Sequence, residues 1–390
     1  MSFDFDTQVA LKGTHSAKYD AIAREFGLDD PDIIPMWVAD MDFRAAPPIL
    51  AALQREVDRG VIGYFTNLKP VAGAVAEWYQ TQHGWNVQTD WVRFTHGVVN
   101  GFGVTLASFT EPGDEVIVFS PVYHAFFRQI EAMGRVAKES PLVLKDGVFK
   151  MDLESLSASL SGKEKALTLC TPHNPGGRIW TASELQDVAE FCRAHDLLLI
   201  SDEIHMDLVF PGERFVPTGV AAPDCLDRLV VLTAASKGFN LAGGETGLMV
   251  IADAGLRQRV DKVLVDREAT PNRFGMMMTQ AAFSECADWS VAVRSYIAEN
   301  FRIFSERIGA IPGISVMPMQ ATYLCWADFT SLGMTDAELV TRMLDAKVAP
   351  EKGTKFRTGG SGHLRFNLAL PRPTLMQAIE RIEAAFSDIQ

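Results

Sequence analysis

Short apolar runs that stop abruptly at polar residues set the rhythm of this chain. Leu229-Val230-Val231-Leu232-Thr233 is one, and Leu197-Leu198-Leu199-Ile200 is another. Strands buried on both faces read this way. Trp91-Val92-Arg93-Phe94, Glu115 to Ser120 and Ala166 to Cys170 predict three more. Between the strands, apolar residues recur at helical steps. Val99, Phe102, Leu106 and Phe109 form one such stripe, and a second helix runs from Ile49 to Val57. Leu185, Val188, Ala189 and Cys192 form another, behind the capping box Thr181-Ala182-Ser183-Glu184. Strands alternating with helices predict an α/β fold with a mostly parallel sheet covered on both faces.

The pattern changes past about residue 285. Trp289, Val293, Tyr296, Asn300 and Phe304 mark one face of a long helix, and Ile314–Met317 and Thr322–Trp326 read as strands. His363 to Leu368 alternates, with Leu364, Phe366 and Leu368 on one side and Arg365 and Asn367 on the other. The division expected is an N-terminal arm over 1–45 that goes with the small domain, a large domain over 46–285 and a smaller α+β domain over 286–390. The arm, punctuated by Gly13, Pro31 and Pro35, reads as irregular. Its Asp40 and Asp42 lack a third acid or histidine nearby and read as a solvated or capping pair, not a metal site.

Composition narrows the function classes. The 390 residues are 47% hydrophobic and 22% charged, ordinary globular material, with a net charge of −13. So acidic a surface repels nucleic acid and anionic lipid, so neither is an expected partner. Cys170, Cys192, Cys225, Cys286 and Cys325 show no paired or metal-type spacing and read as reduced thiols of a cytoplasmic protein. The start, Met1-Ser2-Phe3-Asp4-Phe5-Asp6, lacks the basic and apolar regions of a secretory leader, and no apolar stretch reaches membrane-spanning length.

The chemistry sits at the strand ends. The Leu229 run leads into Ala234-Ala235-Ser236-Lys237, and the Leu197 run into Ser201-Asp202-Glu203. Ligands bind outside the carboxyl ends of such strands. A poorly solvated lysine loses its proton more readily and becomes a nucleophile fit for a Schiff base. An amine and a carboxylate at one sheet edge are what pyridoxal phosphate (PLP) asks for, one for its aldehyde and one for its pyridine nitrogen. Gly97, Val98 and Val99 open a helix after a strand, where free backbone amides hold anions, so they are the expected phosphate cradle. Tyr123, just past a strand end, can lie flat on a planar ring, and Asn174 offers an amide to the pyridine oxygen. Arg365, on the polar side of its strand, has the fork that binds a carboxylate.

These stretches resemble fold-type-I PLP enzymes of the aminotransferase class I/II family. Ala234 to Phe239 with Gly243 and Gly247 resembles their lysine motif, Thr171-Pro172-His173-Asn174-Pro175-Gly176-Gly177 their Asn-Pro loop, and Ser201 to His205 their pyridine-binding strand end. Met36-Trp37-Val38-Ala39-Asp40-Met41-Asp42-Phe43, with His205, resembles the cystathionine β-lyase or C–S lyase branch. The resemblance implies a fold-type-I transferase and a homodimer with composite sites, in which Tyr64 reaches the neighbouring subunit's phosphate. It also implies that Ala39 closes the substrate side and that Arg365 holds the α-carboxylate of an amino-acid substrate. The implied reaction is β-elimination from L-cystathionine or a related cysteine S-conjugate, with Lys237 and Asp202 catalytic. Transamination, which shares the early steps, is the alternative. A PLP-loaded regulatory scaffold is the second, against which an intact Lys237, Asp202 and Arg365 argues. Two positions depart from the family's pattern. Glu245 stands where many relatives carry an arginine on the phosphate, so it is expected to point away or the local backbone to differ. Ala234 replaces a serine, leaving Thr233 or Ser236 to supply a hydroxyl.

Overall fold

A computed structural model describes residues 3–269 and 271–389. Met1 and Ser2, part of the start considered above for a leader, lie outside the described residues. In chain order the strands are β1 (Ile34–Met36), β2 (Val92–Thr95), β3 (Glu115–Ser120), β4 (Val136–Pro141), β5 (Val143–Lys145), β6 (Val148–Lys150) and β7 (Glu164–Cys170). They continue as β8 (Leu198–Asp202), β9 (Leu229–Thr233), β10 (Gly247–Val250), β11 (Ser315–Val316), β12 (Leu324–Asp328), β13 (Val348–Lys352) and β14 (His363–Asn367). The main sheet has seven strands in the order β2-β10-β9-β8-β7-β3-β4. The strands from β9 to β4 pair in parallel, and β10 runs antiparallel to both its neighbours, β9 and β2.

Alternation along each strand sorts the side chains to two faces. Leu198 and Ile200 of β8 join Val98, Phe102 and Leu106 of the helix Val98–Phe109 in one apolar cluster. Leu199 faces the other way, in the cluster holding Leu185 and Val188 of the helix Ala182–Ala194. β9 divides likewise, with Val230 and Leu232 on one face and Leu229 and Val231 on the other. Each such side chain stabilises the sheet by about 1.5–3 kcal/mol on burial, which is why the central strands are apolar throughout. The helix Ala182–Ala194 opens as its sequence requires. Thr181 Oγ1 accepts from the Glu184 amide at 3.2 Å, and Glu184 Oε2 from the Thr181 amide at 2.9 Å.

A second sheet runs β1-β13-β14-β12-β11. Here the arm departs from its expected irregularity. It forms the short helices Ala17–Asp20 and Ile22–Phe26, then β1, which pairs in parallel with β13. Pro35 argued against a strand, but β1 is the edge of its sheet and pairs on one side only, where proline is tolerated. The Asp40–Asp42 pair is also a correction. Asp42 is buried and ion-paired with Lys18, itself only 1% exposed, so the two acids neutralise a buried cation instead of facing water.

No helix among the described residues is long and apolar enough to cross a membrane. Among the same residues no group of three or more histidine, cysteine or acidic side chains is arranged to hold a metal ion. All five cysteines are free and buried.

Candidate active site

The carboxyl ends of β2, β3, β7, β8 and β9 lie along one edge of the main sheet. β10 runs the opposite way, so its amino end arrives at that same edge. A cavity of about 330 Å³ opens there. β2 leads into Gly97, Val98 and Val99, β3 into Tyr123, and β7 into Asn174. β8 ends in Asp202 and leads to His205, and β9 leads to Ser236 and Lys237. Ala39 of the arm lines the same cavity.

Lys237 follows β9 on a single helical turn, Ala235–Gly238, and its Nζ donates to the Ala39 carbonyl at 2.6 Å. Burial pushes this amine down to about 8, against the pull of the Asp40 and Asp202 carboxylates. A sizeable neutral fraction near neutral pH is what a lysine nucleophile needs. Asp202 is 3% exposed, and its Oδ1 accepts from the Ile204 amide at 3.1 Å. Burial pushes its carboxyl up to about 7, with the Ile204 N–H working the other way. A buried acid of this kind favours a cationic partner opposite. Burial, then the charges of Lys237 and Arg365, drive His205 well below the usual histidine range, so its ring stays neutral.

Arg365 does not itself line the cavity. It lies buried behind Asn174, donating from Nη1 to Asn174 Oδ1 at 3.1 Å and from Nη2 to the Trp37 carbonyl at 2.7 Å. Its register opposite Trp326 of β12 fixes the side from which it reaches the site.

The segment Trp37–Asp42 is a strap whose carbonyls gather the neighbouring side chains. Ala39 O accepts from Lys237 and from Tyr323 Oη at 2.9 Å. Val38 O and Asp40 O accept from Asn367 Nδ2 at 2.6 and 2.5 Å. Lys18 pins the strap from behind, donating to Asp42 Oδ1 at 2.9 Å and to the Asp40 carbonyl at 3.1 Å. Nothing in Ser16-Ala17-Lys18-Tyr19 distinguishes that lysine from a solvated one, so sequence reasoning missed it.

At the opposite end Gly97 adopts φ +79°, turning β2 into the helix Val98–Phe109, whose first amides no side chain caps. Of the two residues left to supply a hydroxyl in place of Ala234, Ser236 lines the cavity, while Thr233 turns its hydroxyl to the Glu203 carbonyl. Tyr64 is fully exposed on this chain and lies outside its own cavity, as a side chain expected to serve a neighbouring subunit would. One expectation fails. Glu245, expected to point away, lines it, with Thr246 beside it. Glu245 and Thr246 enter because β10 is antiparallel, which no local pattern announces. His96, Cys170, Ile204 and Ala242 also line the cavity and were not foreseen, although His96 adjoins the Gly97 turn.

The donor set suits PLP: an amine for an aldehyde, a buried acid for a ring nitrogen, an aromatic face, and uncapped helix amides for a phosphate. His205 Nδ1 and Arg365 Nε are buried without a partner among the described residues, as polar atoms that face a ligand are.

Residues 33–382 match the model of the family "Aminotransferase class I and II". The chain is 38% identical to cystathionine beta-lyase PatB of Bacillus subtilis over 389 residues, covering 98% of this chain and all of that protein. It is 32% identical to protein MalY of Escherichia coli, covering 97% of each. The solved structure of cystalysin from Treponema denticola, which contains pyridoxal 5'-phosphate, superimposes with a TM-score of 0.95 at 32% identity over the whole of both chains.

Proposed function

This chain belongs to the class I and II aminotransferase family, and on that premise we propose that it is a PLP-dependent C–S β-lyase. Its substrate is L-cystathionine or a related cysteine S-conjugate, and its products are a thiol, pyruvate and ammonia. The observation that carries the reading is the full-length similarity to a cystathionine β-lyase, joined to a cavity in which Lys237 and Asp202 meet. Family membership alone would allow transamination, so the reaction rests on that relative.

Lys237 would hold the cofactor's aldehyde, Asp202 its ring nitrogen, Tyr123 its ring face and Asn174 its ring oxygen. Gly97, Val98, Val99 and Ser236 would hold its phosphate. When bound, the cofactor supplies an electron sink for charge that develops at the substrate's α-carbon. The chain's residues do the rest. Arg365 would turn its fork from Asn174 and Trp37 to the substrate carboxylate and so fix the substrate's orientation. The neutral amine of Lys237 takes the α-proton as general base. That proton, now on Nζ, is available to the departing sulfur. Asp202, in its charged form, balances positive charge on the ring nitrogen. His205 stays neutral and adds no cation to compete with it. The strap, with Ala39, walls the substrate side from water.

We also propose a homodimer with composite sites, in the cytoplasm. Val61, Ile62 and Tyr64 form an exposed apolar arm, 68%, 69% and 106% accessible on the single chain, a surface suited to a second copy. Five free buried thiols suit a reducing compartment. The arm 1–45, the cofactor domain 46–285 and the smaller domain 286–390 remain the proposed divisions.

The test is product analysis on L-cystathionine with no keto acid added, together with borohydride treatment and peptide mapping. Pyruvate, ammonia and a cofactor label on Lys237 are expected. Turnover that requires a keto acid acceptor and yields a new amino acid would establish transamination instead, and a label on another lysine would remove Lys237 from its role.

A further inference from the structure

Behind Lys237 lies a buried carboxylate that the reaction above does not use. Asp207 stands on the turn Met206–Leu208, which follows β8 and His205, and is 4% exposed. It packs directly on the helical turn Ala235–Gly238 that carries Lys237. A Cβ on Gly238 would lie 2.8 Å from the Asp207 Cβ, so only glycine fits next to the lysine.

Two donors hold this carboxylate. Trp78 Nε1 donates to Asp207 Oδ1 at 2.8 Å, and His83 Nε2 donates to the same atom at 2.9 Å. The two donors are five residues apart, which on an α-helix would set them about 140° apart around the axis. They converge because Tyr79–His83 is a π-helical turn continuing the helix Lys69–Trp78. Such turns are rare and recur at functional sites. The Trp78 ring also meets the Phe239 ring edge-on, with centroids 5.5 Å apart. Trp78 therefore grips the two residues after Lys237, Gly238 through Asp207 and Phe239 directly. Neighbouring charged groups are engaged elsewhere. Arg294 donates to the Ser290 and Val209 carbonyls, and Glu203 Oε1 accepts from Ser201 and Thr218.

We infer that Asp207, held by Trp78 and His83, is a positioning residue that keeps the Lys237 amine aimed at the cofactor's aldehyde and the substrate's α-carbon. The inference rests on the PLP reading above. Asp207 acts through the place of the turn and not through its charge, since the carboxylates that pull on the Lys237 amine are Asp40 and Asp202.

The experiment uses four variants. Asp207→Ala removes the acceptor, and Asp207→Asn keeps an acceptor of the same shape without the charge. Gly238→Ala wedges a methyl between Asp207 and the turn, and Trp78→Phe removes one donor while keeping a ring against Phe239. Steady-state kinetics on L-cystathionine give kcat and KM. The rate at which cofactor-free protein condenses with pyridoxal 5'-phosphate, read by visible absorbance, reports on Lys237 without turnover. All rates are taken per folded molecule, with the folded fraction from circular dichroism. Asp207→Ala and Gly238→Ala should lower kcat on the order of 10–100-fold and slow condensation, while KM stays within about twofold because Arg365 still holds the substrate. Asp207→Asn should stay within about threefold of the parent in both rates. Trp78→Phe should fall between the parent and Asp207→Ala, and it decides the matter if the other two do not fold. Parental kcat and condensation rates in Asp207→Ala, Gly238→Ala or Trp78→Phe would overturn the inference, whatever the loss of stability. So would an Asp207→Asn protein as impaired as Asp207→Ala, which would make the charge the operative property. A parent protein that forms no adduct at Lys237 would instead overturn the functional reading.

Discussion

Replacing Lys18 by methionine tests how the strap over the site is held. The substitution keeps the length of the side chain and removes its charge. Lys18 is 1% exposed and Asp42 4% exposed, their charged atoms 2.9 Å apart. Without the lysine, Asp42 keeps only the Tyr19 hydroxyl at 2.8 Å as a side-chain donor and stays buried with an uncompensated charge. Breaking a buried pair in this way costs about 3–5 kcal/mol. Asp40 is nearer water and adds little. A loss of about 3–4 kcal/mol is therefore expected, a large share of a typical domain's stability. The strap would also loosen, and its carbonyls hold Arg365, Asn367, Lys237 and Tyr323. The Michaelis constant should rise by about an order of magnitude as the site loses its fixed geometry. Urea unfolding measures the first effect and steady-state kinetics the second. The double variant Lys18→Met with Asp42→Asn removes both charges and should recover at least half of the lost stability. A single variant within about 1 kcal/mol of the parent, or a double variant no better than the single one, would refute the reasoning.

Three further outcomes follow from the same geometry. Asp202→Asn keeps the shape and removes the charge opposite the ring nitrogen, so turnover should fall at least ~100-fold, about 3 kcal/mol of transition-state stabilisation; near-parental rates would deny the role. With its amine held near 8, Lys237 of cofactor-free protein should condense with pyridoxal at a rate that climbs with pH and levels off above about 8, because only the neutral amine attacks; a midpoint near 10.5, the ordinary lysine value, would contradict the burial argument. Mixing inactive Tyr64→Ala with inactive Lys237→Ala should restore part of the activity through hybrid dimers if Tyr64 serves the other subunit, and a fully active monomer in sedimentation would exclude composite sites.

How much of this could be read from the chain depended on burial. The central strands β8 and β9 are covered on both faces, so they had to be apolar throughout, and their ends announced Asp202 and Lys237. The capping box at Thr181 was legible because a helix start is a local event. β4 and β5 were not, since their residues are largely polar or exposed. β1 was hidden by Pro35, and β10 by being short and running against its neighbours. The same reversal hid Glu245, whose position at the site is a property of topology and not of any motif. Lys18 was hidden because a buried lysine differs from a solvated one only by partners that lie more than twenty residues away.

The pairing of β1 with β13 has a consequence for how the polypeptide is made. Ile34 lies beside Val348, so the strand synthesised early must find one that emerges roughly 300 residues later. At about 5–20 residues per second that interval is on the order of 15–60 s. Throughout it the arm has no sheet to join, and the strap that follows it has nothing to cover. The main sheet, complete by β10, can close meanwhile as a unit of its own. The nascent chain therefore carries a finished half and an unpaired first strand at once. Lys237 is translated well before the wall beside it can be built.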